Sequence, residues 1–197
     1  FNGETPVDNL NPDTVQRFLH LTHDKYLERF GEEFGKTIPG IFTDEPSLAD
    51  THSAFGPDRS WIPWTYGFAE YFREKNGYDP VDRIALFFFE GEGSAKIRHD
   101  YWHAIALRFS ENYSGQIAAW CREHHLLMTG HFLQEDKLGL STRVSGATMP
   151  LYEYEDIPGV DILQDKTDEF LTVKQCVSVA HQMGKKNVIS ETYGVTG

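Results

Sequence analysis

An α/β fold built on a parallel sheet is predicted by three observations. Short apolar runs bounded by turn residues (38–42, 126–129, 160–163 and 188–190) read as strands buried on both faces. Stretches with helical spacing separate them, and such alternation implies a parallel sheet with right-handed crossovers. Two of the strand-like runs end in a glutamate: Ile38-Pro39-Gly40-Ile41-Phe42-Thr43-Asp44-Glu45-Pro46 and Asn187-Val188-Ile189-Ser190-Glu191-Thr192-Tyr193-Gly194. Ligands of α/β folds bind where such strands end.

Asn11-Pro12-Asp13 predicts the first helix start, with Asn as cap, Pro at the first helical position and an acid in the first turn. Val15, Phe18, Leu19, Thr22 and Tyr26 keep helical spacing, and Gly31 is the stop. The strand 38–42 follows. Residues 47–64 then form a long loop rich in His, Pro, Asp and Trp, a length that is usually functional or disordered. Helices are predicted over 66–75, closed by Asn76-Gly77, over 81–89, and as one long element over 95–125. The strand 126–129 runs into Gly130-His131. Residues 135–158, rich in glycine, are predicted to be irregular. The strand 160–163, a helix over 173–183 stopped by Gly184, and the strand 188–190 complete the order.

At 197 residues the chain is long enough for one sizeable core. Its 40% hydrophobic and 14% aromatic content fits a globular protein and excludes wholesale disorder. A net charge of −12 argues against a phosphate-backbone partner. Acidity beside many aromatics suits a carbohydrate site, and equally suits plain solubility. No run reaches the length of a membrane span. Cys121 and Cys176 each fall inside an amphipathic stretch and read as small buried hydrophobes, so no disulfide framework is expected. No G-x-G-x-x-G follows a strand, no Walker-type loop is present and no G-x-S-x-G elbow exists, so nucleotide binding and acyl transfer lack their signatures. Four strands with long loops after their C-terminal ends suit a Rossmann-like layer or part of a barrel.

The segment from Gly35 to Pro46 resembles the fourth-strand motif of bacterial (β/α)8-barrel glycosidases, and most resembles the α-L-rhamnosidases of glycoside hydrolase family 106. Val7-Asp8-Asn9-Leu10-Asn11-Pro12 is similar to the preceding strand end. Met149-Pro150-Leu151-Tyr152-Glu153 with Ile157-Pro158-Gly159-Val160-Asp161 is similar to the approach to the sixth strand, and Ser190-Glu191-Thr192-Tyr193-Gly194 to the seventh-strand motif. The resemblance implies a TIM-barrel catalytic domain present as a partial barrel, about strands 4 to 7, since a whole barrel takes ~250 residues. The chain is thus expected to be a single-domain piece, 1–197, of a longer bacterial protein.

Glycoside hydrolysis needs two carboxyl groups, one acid and one base or nucleophile. The resemblance implies Glu45 as the general acid and Glu191 as the base, with inversion of configuration. A general acid needs a carboxyl held protonated by desolvation and nearby negative charge, which Asp44 and aromatic neighbours can supply, although adjacent strand residues point to opposite faces. His131 and Glu135 at the mouth of the second strand are candidates for binding sugar hydroxyls or orienting a catalytic carboxylate, and Asp165, closing the third, for binding sugar hydroxyls or a metal. Trp61, Trp64 and Tyr193 are candidates for stacking on sugar rings. Glu153, Glu155 and Asp156 form an acidic cluster whose hard oxygen atoms suit calcium, which the resemblance allows, but they lack an ordered calcium-loop spacing. The bland readings are a turn opener at Asp44-Glu45-Pro46, a capping acid at Glu191, a structural histidine at 131, loop packing for Trp64 and a solvated acidic loop.

The expected partner is an oligosaccharide or polysaccharide, with no nucleic acid and no membrane, and no cofactor is required. Open edges of a partial barrel predict self-association. Two rival readings stand beside this one: a carbohydrate-binding barrel without chemistry, and a metal-dependent enzyme of another class on the same fold.

Overall fold

The computed structural model describes residues 7–48, 61–162 and 169–192. Two short helices open it, α1 (Pro12–Leu21) and α2 (His23–Phe30). Asn11 caps α1 as its sequence dictates: the side-chain oxygen accepts from the Asp13 amide at 3.0 Å, with Pro12 in the first turn. Val15 and Leu19, four apart, are the buried stripe of this helix. Strand β1 (Gly40–Asp44) follows, then α3 (Phe68–Asn76), α4 (Ala85–Phe88), α5 (Ser94–Phe109) and α6 (Gly115–Glu123). Beyond these come β2 (Leu127–His131), α7 (Leu138–Ser145), α8 (Met149–Tyr152), β3 (Ile157–Ile162), α9 (Phe170–Gln182) and β4 (Ile189–Thr192).

The four strands form one parallel sheet in the order β1-β2-β3-β4, so every neighbouring pair is joined by a helical crossover. This is a mixed α/β arrangement consistent with part of an α/β barrel. β1 and β4 are the edge strands, and all four residues of β4 are exposed. Register fixes the rim: Asp44 lies level with His131, and Asp161 with Glu191. Helices cover the sheet with Phe68, Phe72, Ile97, Tyr101, Ile105, Phe109, Leu151 and Val179, which bury with Phe132 and Val160 in the main core. A second cluster joins Leu19 and Phe34 to Ile117, Cys121 and Met128 under the start of the sheet. Both cysteines are buried and free, as their helical spacing predicts.

Two differences from the sequence reading have physical causes. The long helix predicted over 95–125 is broken by a π-turn at Ser110–Ser114, a common way to insert a residue into a helix. There the buried Asn112 Nδ2 donates to the Leu10 carbonyl, as does Arg108 Nε at 3.2 Å, which ties the 7–10 segment onto the helix. The 135–158 stretch predicted to be irregular contains α7 and α8. α7 holds Gly139 and two β-branched residues, so local propensity is weak, and the buried Val144 and Ser145 supply the reason for a helix.

Close strand approach explains two glycines. A Cβ on Gly130 would collide with the Thr43 carbonyl and hydroxyl, and one on Gly159 with the Gly130 carbonyl and with Ile189 Cγ2 at 2.8 Å. Gly159→Ala is therefore expected to cost about 1–3 kcal/mol by overpacking, seen as a lower denaturation midpoint. An unchanged midpoint would show that β2 and β3 can move apart without penalty.

Candidate active site

The carboxyl ends of all four strands carry ionisable side chains on one rim. His131, the last residue of β2, is only 2% exposed and sits at the centre. Its Nε2 lies 2.9 Å from Glu191 Oε2 on β4 and 3.6 Å from Asp44 Oδ1 on β1. Phe42 packs edge-on against the imidazole with centroids 5.4 Å apart. Nδ1 is buried without a hydrogen-bond partner among the described residues, so the network assigns the proton to Nε2, which donates to Glu191. A histidine buried this deeply and bonded to an acid 60 residues away is a fixed strut between strands.

Glu45 follows β1 directly, with φ of 45°. A non-glycine residue in the left-handed region is uncommon and costs of order 1 kcal/mol, and such residues cluster at functional sites. The consequence here is geometric. Strand alternation would send Asp44 and Glu45 to opposite faces, and the sequence reading assumed so; the left-handed step ends the alternation. The carboxyl of Glu45 accordingly joins His131 and Asp161, one ligating atom of each lying within 4.8 Å of the others. Partial burial raises the Glu45 carboxyl above its ordinary range; His131 opposes this, and Asp44, Asp161 and Glu191 reinforce it. A carboxyl raised above its ordinary range thus stands beside others on the same rim.

The structure brings together four of the residues singled out in the sequence: Asp44, Glu45, His131 and Glu191. It adds Asp161, which lies within the Ile157-Pro158-Gly159-Val160-Asp161 run and for which the sequence alone suggests no role. Its signal was position, since it sits one strand over from Glu191 in register. Glu135 belongs elsewhere. It is 3% exposed, and Oε1 accepts from the Phe132 amide at 2.9 Å and from the Tyr152 hydroxyl at 2.7 Å. That carboxyl is committed to the loop itself, which corrects its reading as a ligand for sugar hydroxyls.

Trp61 packs beside Leu133 and Val144, with the Arg143 guanidinium 4.2 Å above its ring. Trp64 is 41% exposed, stands edge-on to Phe68 and lines a hollow of about 260 Å³ with Asp8, Leu10 and Leu48. Asp165 and Tyr193 lie outside the described residues. The acidic trio does not converge as a calcium site would require. Glu155 is wholly buried, and burial drives its carboxyl well above the ordinary range. Asp156 Oδ2 accepts from the Met128 amide at 2.9 Å, while Glu153 is exposed and its carbonyl accepts from Lys185 Nζ. Among the described residues it is Glu45, His131 and Asp161 that could hold a cation.

A parallel α/β sheet with carboxyl groups gathered at the carboxyl ends of its strands is the layout in which α/β barrels place their chemistry. Comparison with known proteins places the fold beside one such enzyme. No family profile and no curated protein matches the chain. Among solved structures, a rhamnosidase from Novosphingobium sp. PP1Y is similar over 95% of this chain, with a TM-score of 0.73 and 21% identity. The chain spans 17% of that rhamnosidase's length. At this identity the likeness is one of fold alone, an α/β arrangement.

Proposed function

We propose that this chain carries the catalytic rim of a glycoside hydrolase that cleaves O-glycosidic bonds of a complex or plant-type saccharide, with an α-L-rhamnoside as the first substrate to test. The observation that supports this most is the meeting of Glu45 and Glu191, 146 residues apart in the sequence (191 − 45), around one buried histidine. Glu45 is the general acid: its proton passes to the glycosidic oxygen as that bond breaks. Glu191, oriented by His131, is the base that takes a proton from the water attacking the anomeric carbon. Asp44 and Asp161 supply negative charge that favours the oxocarbenium-like transition state and keeps the Glu45 proton in place. The fold similarity to a rhamnosidase agrees with this reading.

Aryl glycosides offered to the full-length protein test it, with the anomer formed first followed by NMR. An inverted product supports Glu191 as a base, and a retained one makes it a nucleophile.

One observation favours a second reading, a cation held at the same rim by Glu45, His131 and Asp161. Calorimetric titration with calcium separates the two. Binding heat that vanishes in Asp161→Asn supports the cation, whereas turnover that survives chelation supports two carboxyl groups working alone.

A further inference from the structure

We propose that Glu135 is a positioning residue: by accepting from the Phe132 amide and the Tyr152 hydroxyl, it fixes the turn after β2 and thereby holds His131 within hydrogen-bonding reach of Glu191. This rests on the proposed function only for its catalytic consequence; the structural claim stands apart from it.

The turn leaves β2 immediately after His131 and passes through Gln134, whose φ of 57° is again left-handed. A strained turn of this kind persists only where its surroundings hold it. Three bonds do so here. Phe132 N and Tyr152 Oη both donate to Glu135 Oε1, at 2.9 and 2.7 Å, and Gln175 Nε2 on α9 donates to the Glu135 carbonyl at 2.9 Å. Gln175 is itself held by the Thr148 hydroxyl at 3.2 Å. Phe132 and Tyr152 pack edge-on with centroids 5.2 Å apart, so the apolar and polar contacts point the same way. The segment that begins at His131 is thus tied to α8 through the Glu135 carboxyl group and to α9 through the Glu135 backbone carbonyl.

The Glu135 carboxyl group is also raised by its burial, up to about 7 from the ordinary 4.5. The groups facing it are Tyr152 from α8, Cys176 from α9, Glu155 before β3, Asp161 on β3 and His131 on β2. The bonds from Phe132 and Tyr152 and the charge of His131 favour the ionised form, and burial outweighs them. Because the folded value lies above the unfolded one, the stability contributed by Glu135 is complete below about 4.5 and is lost as pH rises through about 7. Ionisation strengthens the two bonds the carboxyl accepts, so the cost at alkaline pH is the burial of charge, and it falls on overall stability.

Glu135→Gln, which keeps the acceptor and removes the titration, and Glu135→Ala, which removes both, test this by two readouts. Thermal unfolding from about pH 5 to about pH 9 should show the wild-type midpoint falling through neutrality and the Gln variant losing that component. The His131 ring signals in heteronuclear NMR should move with pH in the wild type, stay fixed in the Gln variant and be displaced in the Ala variant. Tyr152→Phe, which removes one donor only, gives the same displacement in a smaller degree should the Ala variant not fold. Expected catalytic effects are a fall in kcat of about tenfold to a hundredfold for Glu135→Ala, with KM little changed and the Gln variant near wild type at neutral pH. Unmoved His131 signals in both Glu135→Ala and Tyr152→Phe would overturn the proposal. Loss of the hydrolase reading would instead show as no glycoside turnover by the full-length wild-type protein, with the NMR and unfolding results unaffected.

Discussion

Glu45→Gln is expected to lower kcat by about a hundredfold to ten-thousandfold, the usual worth of a positioned acid. The loss should depend on the leaving group. A strongly activated aryl glycoside departs with little protonation and should lose least, and an alkyl glycoside should lose most. The fold should tolerate the change, because Gln is isosteric and the side chain is only partly desolvated. The pH profile adds an independent check. Partial burial lifts the Glu45 carboxyl above its ordinary range, so the protonated, active form persists to higher pH and activity falls as pH rises through the lifted value. Asp161 is one of the charges that lift it. Asp161→Asn should therefore move the alkaline limb of kcat/KM towards lower pH. A glutamine variant that turns over alkyl glycosides at the wild-type rate would remove Glu45 from the mechanism.

The sequence carried the strand ends well because the information there is local. Four apolar runs, each closed by polar or turn residues, correspond to β1 through β4, and the Asn-Pro-Asp cap marked α1. Glu45 and Glu191 were legible for the same reason, since a carboxyl just past a buried strand has few places to go but the rim. What was not legible depends on backbone steps and on partners distant in sequence. Nothing in Asp44-Glu45-Pro46 announces that Glu45 takes a left-handed conformation, yet that step places its carboxyl near Asp161. Asp161 itself sits midway in a run that reads as ordinary strand, and only the register with Glu191 gives it meaning. Glu135 follows a histidine at a strand mouth, which suggested a ligand. Tyr152 and Gln175, 17 and 40 residues away, turn it into a clamp. The acidic trio failed for a similar reason: consecutive positions in a turn point in different directions, and Glu155 points into the core.

Glu191→Gln is the second large effect, and its pattern should differ from that of Glu45→Gln. A base activates water whatever the leaving group, so kcat should fall by a similar factor, again about a hundredfold or more, across activated and unactivated glycosides. The structural cost should be small. Glu191 is 47% exposed in its side chain, and a glutamine oxygen can still accept from His131 Nε2. The melting temperature is thus expected to stay within about two degrees of the wild type, as for other partly exposed sites. His131→Phe would be the harsher change, because it removes the donor that orients Glu191 while keeping a ring beside Phe42. Its expected signature is a loss of kcat comparable to Glu191→Gln, and a double variant little worse than either single one, since both would act through the same oriented carboxylate. Independent, multiplicative losses in that pair would mean that the histidine acts on the substrate itself and not through Glu191.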